Sequence, residues 1–152
     1  MRTLHKFTII ALAIIMLFGV VGCQPKKAAG PVTIHILTQD QAGLKPAEID
    51  QIAREFEALN PDIKVSMEYV SYDAIHDKIV TGMAATPPGY DASMIDVIWP
   101  DEFIKAKYLL DVTDRITADM KTNMFPASWN GVTRNGKIYG LPWLMDVKYS
   151  HP

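Results

Sequence analysis

The chain has a single cysteine, Cys23, in 152 residues, so it can close no disulfide within itself. It has no C-x-x-C pair and no H-E-x-x-H segment, which leaves out the usual dithiol and zinc-hydrolase signatures. It also lacks a phosphate-cradling G-x-x-x-x-G-K-S/T loop and a G-x-S-x-G nucleophile elbow. Excess positive charge is missing too: 15 Lys and Arg stand against 17 Asp and Glu, for a net charge of −2. A nucleic-acid binder would show a basic patch or stripe, so that class is set aside. There is no internal repeat, and only one apolar run approaches the length of a membrane span. Carboxylates are plentiful, but a glycosidase pair is defined by separation in space, which spacing along the chain does not supply. No catalytic residue, cofactor site or metal site is predicted.

The one long apolar run is at the start. Arg2 and Lys6 precede Phe7 to Val21, which is almost wholly apolar. That run of about fifteen residues is short of the roughly 20 that cross a bilayer as a helix. Residues 1–22 therefore read as a secretory signal peptide. Val20-Val21-Gly22-Cys23 resembles a bacterial lipobox. That resemblance implies cleavage before Cys23 and a diacylglycerol on its thiol, with acyl chains anchoring the chain to a membrane. An uncleaved anchor is the alternative. Residues 23–31 form the lipidated tether, with lysines, alanines, prolines and no apolar periodicity. Losing Arg2 and Lys6 leaves the mature part more acidic. Its expected place is extracytoplasmic, in the periplasm or on the outer face of the cytoplasmic membrane.

The folded part opens with Val32 to Leu37, a β-branched run predicted as a buried strand. His35 lies within it. No second ligand has matching spacing, so the ring is read as hydrogen-bonded and not metal-bound. Thr38 to Gly43 is a polar loop at the strand's carboxyl end, where open α/β sheets bind ligands. Gln39 and Asp40 are candidates for that role, with simple loop solvation as the alternative. Pro46 to Leu59 is predicted as a helix with Ile49, Ile52, Ala53, Phe56 and Leu59 on one apolar stripe. Asn60-Pro61-Asp62 stops it. Ile63 to Val70 alternates as a second strand, completing a βαβ unit. A second helix starts at Ser71-Tyr72-Asp73, with Ser71 as N-cap and Ile75, Ile79 and Met83 facing inward. His76 falls off that stripe and is expected to face solvent.

Ile95 to Trp99 is predicted as the third strand. Trp99-Pro100-Asp101 then pairs an aromatic with a carboxylate. Trp99 either stacks on a ligand or fills core. Asp101 either contacts a ligand or caps a helix over Glu102 to Leu109. Ile116 to Asn123 is a short helix, and another follows Phe125 and ends near Gly131. Trp129 is read as packing. Asn135-Gly136 is a strong turn dipeptide. The run Gly136 to Asp146 then reads as a turn, a short strand and a second strand. Trp143 would offer a flat apolar face and one N–H, and Asp146 would accept hydrogen bonds. An aromatic plate beside a carboxylate suits a sugar, which has C–H faces and a rim of hydroxyls. Core filling by Trp143 and a solvated Asp146 are the alternatives.

The segment "NGKIYGLPWLMD" resembles the extracellular solute-binding proteins of ABC importers, the family that includes maltose-binding protein. The "FEALNPDIKV" run and the "LLDVTD" turn resemble the same family, with Lys107-Tyr108 near a position where glycine is usual. The likeness covers Thr33 to Tyr149. It implies an α/β, periplasmic-binding-protein-like lobe with a mainly parallel sheet from βαβ units. Residues 32–149 would be its amino-terminal lobe, the second lobe missing, and 150–152 a truncated end. The implied function is to bind an extracytoplasmic carbohydrate and deliver it to an ABC permease. The substrate-binding residues implied are Gln39, Asp40, Trp99, Asp101, Trp143 and Asp146. The protein would act as a monomer, without cofactor or nucleic acid. Alone, this length of chain would bind weakly or not at all. A secreted carbohydrate-active enzyme and a non-binding lipoprotein remnant are the alternatives.

Overall fold

β-Branched residues need an extended neighbour, and the chain supplies one about thirty residues on. A computed structural model describes residues 30–41 and 43–143. Strand β1 spans Val32–Gln39, two residues beyond the predicted end. Strand β2, Ile63–Val70, lies parallel to it from Val32 opposite Ile63 to Gln39 opposite Val70. Helix α1, Pro46–Leu59, makes the crossover at its predicted bounds. Pro46 occupies its first turn, and the Lys45 N–H donates to the Glu48 carboxylate at 2.7 Å. At its far end the Asn60 N–H donates to the carbonyls of Phe56 and Glu57. Glu57 then ties the helix to β2, accepting from the Val65 N–H at 2.7 Å and from Lys64 at 3.0 Å. Both contacts hold its carboxyl below the usual range, the backbone one first. An edge strand with bare N–H groups invites foreign pairing, and Glu57 blunts that edge.

The α1 stripe is only half used. Ile49 is buried and Ala53 partly so, whereas Ile52, Phe56 and Leu59 are exposed, Leu59 at 83%. Helix α2 spans Tyr72–Ala84 and turns Ile75 and Ile79 inward. Ser71 stands at its N-cap position without a side-chain cap bond. With Leu37 of β1 and Phe103, these two isoleucines form the core. Burying each such side chain contributes roughly 1.5–3 kcal/mol. His76 does not face solvent as expected. It is 30% exposed, wedged between the rings of Trp99 and Phe103.

The third strand is not Ile95 to Trp99. Strand β3 is Ala92–Ser93, parallel to β1, and the sheet order is β2-β1-β3. Its register is fixed by β1. The Asp91 N–H donates to the His35 carbonyl, the Met94 N–H to the Leu37 carbonyl, and the Asp91 carboxylate accepts the His35 N–H. The apolar run that follows is bent by Asp96, whose carbonyl accepts the Trp99 N–H and whose carboxylate accepts the Ile98 N–H. Val97 and Ile98 are left 61% and 71% exposed.

Helix α3 is Pro100–Lys105, shorter than predicted, with Trp99 at the N-cap position and Asp101 inside the first turn. A 3-10 turn at Thr113–Arg115, helix α4 at Ala118–Thr122 and a 3-10 helix at Pro126–Gly131 follow. Strands β4, Thr133–Arg134, and β5, Lys137–Ile138, form an antiparallel hairpin. Asn135 and Gly136 turn it with φ of 53° and 77°, the primed geometry that their types favour. Gly131 to Lys137 has the spacing of a G-x-x-x-x-G-K loop, but Ile138 stands where a hydroxyl is needed. The hairpin geometry is not that of a strand-to-helix phosphate loop. Ile138 is buried, its N–H donating to the Thr113 hydroxyl at 2.9 Å. The turn and short strand are thus as predicted. The second strand is not formed among residues 139–143. Among the described residues no helix is long and apolar enough to cross a membrane.

Candidate functional site

Three parallel strands end on the same side, so whatever follows them is gathered at one edge of the sheet. At the end of β1 stands the half-buried Gln39, with the half-buried Asp40 just after it. The Asp40 N–H donates to the Val70 carbonyl at 2.9 Å, which holds this exit against the end of β2. After β2 comes Tyr72, in the first turn of α2. After β3 come Asp96 and Trp99. Thr38, one residue before the end of β1, is buried with its hydroxyl toward the Met94 sulfur at 3.9 Å.

Tyr72 and the β3 exit are joined directly. The Tyr72 hydroxyl donates to Asp96 Oδ2 at 2.7 Å, and its ring stacks on Trp99 with centroids 5.8 Å apart and planes at 23°. The bond to Asp96, then partial desolvation, raises the Tyr72 pKa. Trp99 is half-buried and packs on His76 and Phe103, with centroids 5.0 and 6.1 Å away. Tyr72 is 45% exposed. The pair therefore makes an aromatic surface with a wet side, backed by the core through Phe103. A carboxylate that already accepts one phenol bond has lone pairs left to accept bonds from ligand hydroxyls.

Asp101 lies apart from that cluster by its bonding. It accepts from Arg134 Nε at 2.7 Å, and Arg134 also donates to the carbonyls of Asn130, Gly131 and Thr133. Its carboxylate remains 74% exposed, so it fastens the β4–β5 hairpin to the start of α3 while keeping a face to solvent. Trp143 is half exposed. Asp146 and Cys23 lie outside the described residues. The structure thus brings Gln39, Asp40 and Trp99 to the carboxyl edge and links Asp101 to the hairpin.

Tyr72 and Asp96 were not among the residues chosen from the sequence. Tyr72 has a signal, since it stands two residues past the end of β2. Asp96 falls near the beginning of the predicted Ile95 to Trp99 strand, which conceals its place in the turn. Away from that edge, a hollow of about 400 Å³ lies between Thr113, Pro126, Trp129, Thr133 and Ile138. Trp129 Nε1 is buried without a partner. A smaller hollow of about 200 Å³ is lined by His35, Ser66, Glu68 and Tyr90. Among the described residues no group of three or more His, Cys, Asp or Glu gathers to hold a metal.

Residues 42–149 match the family model described as bacterial extracellular solute-binding protein. An uncharacterized lipoprotein from Streptomyces antibioticus is 30% identical over 143 residues, covering 91% of this chain and 31% of that protein. Thiaminase-1 of Paenibacillus thiaminolyticus is 28% identical over 114 residues, covering 75% of this chain and 24% of the enzyme. Among solved structures, maltose-bound MalE3 of T. maritima is 31% identical with a TM-score of 0.58, covering 70% of this chain and 27% of that one. The chain thus spans about a third or less of the length of these relatives.

Proposed function

This chain belongs to the bacterial extracellular solute-binding protein family, and from that membership we propose that it forms one wall of a carbohydrate site. The observation that carries the reading is that three parallel strands exit at one edge of the sheet, where Tyr72, Asp96 and Trp99 are in contact and Gln39 and Asp40 mark the neighbouring exit. A sugar would lay a C–H face on the Tyr72–Trp99 surface and share hydroxyl hydrogens with Asp96, Asp40 and Gln39. Asp101, Trp143 and Asp146 are proposed as further contacts from α3 and from the segment after the hairpin. The maltose held by the 31%-identical relative supports the ligand class.

In the same reading Cys23 carries the lipid and an ABC permease receives the solute. The lipoprotein relative and the family's extracellular character support that placement. No bond is made or broken in capture, so the chain needs no nucleophile.

A titration of the full chain with maltose, cellobiose, mannobiose and ribitol, read by saturation-transfer NMR, tests the proposal. One wall supplies part of the contacts, so the expected affinity is on the order of millimolar, about 4 kcal/mol. The sugar should be recovered unchanged. No transfer to any of the four would refute a carbohydrate site. Cleavage products would favour an enzyme.

A further inference from the structure

Resting on the reading that the Tyr72–Trp99 surface meets a sugar, we propose that His76 is a positioning residue for that surface and that its proton makes binding depend on pH. His76 sits on α2 directly behind Trp99. Its ring meets the Trp99 ring edge-on at 5.0 Å and 67°, and stacks on Phe103 at 5.3 Å and 26°. Phe103 is fully buried and cannot yield. Any change in how His76 is held is therefore passed to Trp99, and from Trp99 to Tyr72 stacked upon it.

Two carboxylates hold the imidazole from opposite sides. Nε2 lies 2.9 Å from Glu102 Oε2 on α3, and Nδ1 lies 3.5 Å from Asp77 Oδ1 on α2. A protonated imidazole has two N–H donors, one for each carboxylate. A neutral ring has one, and its other nitrogen then presents a lone pair to an oxygen. The clamp is complete only in the charged state, in which the imidazolium also faces two aromatic rings. The remaining charges nearby are Asp73, one turn earlier on α2; Asp101 and Lys105 on α3; and Asp96 beyond Trp99. Asp101 is engaged by Arg134, and Asp96 accepts the Tyr72 hydroxyl.

The sign follows from these partners. The Glu102 bond, opposed by burial and helped by Asp77, lifts the His76 pKa above its ordinary value of 6.5. The clamp is thus fully present below that ordinary value and is lost as pH rises through the raised one. Sugar affinity should be roughly two- to fivefold higher at low pH, the effect of one cation–ring contact at a partly exposed site.

The test uses the full chain, with His76→Phe and Glu102→Gln beside it. The Trp99 indole N–H is followed by NMR from about pH 5 to about pH 9 without sugar, across the range where a histidine titrates. It should titrate with the His76 ring signal, move to a lower midpoint in Glu102→Gln, and stay flat in His76→Phe. Affinity for the tightest sugar of the four-sugar panel, maltose first, is then compared at both ends of the range. The pH ratio should fall to one in His76→Phe. A Trp99 signal that ignores the His76 titration overturns the positioning role, as does a pH ratio that survives in His76→Phe. If Trp99 titrates but no sugar binds at either end, the carbohydrate reading fails and takes the binding effect with it, while the coupling of His76 to Trp99 stands.

Discussion

Lys107 holds a φ of 63°, in the left-handed region that side chains with a Cβ avoid. The reason it does so is visible in the bonds that end α3. The Tyr108 N–H donates to the Phe103 carbonyl at 2.9 Å and the Lys107 N–H to the Ile104 carbonyl at 3.0 Å. That is the Schellman pattern, with Lys107 in the place where glycine is usual. The accompanying apolar contact is Tyr108 on Phe103, with centroids 6.1 Å apart. Lys107→Gly should therefore stabilise the chain. Left-handed geometry costs a residue with a Cβ about 1–2 kcal/mol. Glycine gives back about 0.4–1 kcal/mol through the freer unfolded chain. The net gain is about 0.5–1 kcal/mol. Urea unfolding followed by circular dichroism should show a higher midpoint with an unchanged slope. Lys107→Ala keeps the strained φ and should change little. The reasoning fails if Lys107→Gly is neutral or destabilising, or if Lys107→Ala stabilises as much.

Three further outcomes are expected. Phe103→Ala should cost about 3–5 kcal/mol, measured by the same unfolding curves, because it empties the centre of the core beneath Trp99 and His76. Gly82→Ala should destabilise, since an added Cβ would lie 2.4 Å from the Tyr90 ring, which Glu68 holds by the phenol at 2.8 Å. In a Tyr90→Ala background the clash is gone and the sign should reverse, leaving alanine's helix advantage of about 1 kcal/mol. Asp111 is held at a pKa of about 2 by the Thr113 hydroxyl first, then by Lys137 and the Thr113 N–H. A lowered pKa gives stability that is present above the ordinary value of 3.8 and is lost as pH falls through the lowered one. Asp111→Asn should thus weaken the protein at neutral pH, and the gap to wild type should close between those two values in an acid titration.

The first half of the fold was legible because local signals agreed there. Pro46, the apolar spacing of α1 and the Asn60-Pro61 stop bound one helix, and the alternation from Ile63 marks β2. The third strand is not where its apolar β-branched residues point, because Ile95 to Trp99 has no pairing with β1. Strand β3 is instead defined by backbone partners on β1, and its residues, Ala92 and Ser93, carry no such signature. His76 was assigned to solvent from helix periodicity, which cannot register that α3 returns to cover it. The same limit applies to Asp101. Its partner Arg134 is 33 residues away, and no spacing rule connects them. The site was legible where it follows from topology alone. Gln39 and Asp40 stand at the end of a strand, and Tyr72 stands just past the next one, so the same rule would have selected it.

The central claim is that the carboxyl edge of the sheet is where a sugar lands. Backbone amide shifts recorded during a maltose titration of the full chain test it most directly. The account predicts changes grouped at residues 39–41, 71–73 and 96–101, together with the Trp99 indole N–H. Changes grouped instead around Thr113, Trp129 and Ile138, which line the 400 Å³ hollow, would contradict it.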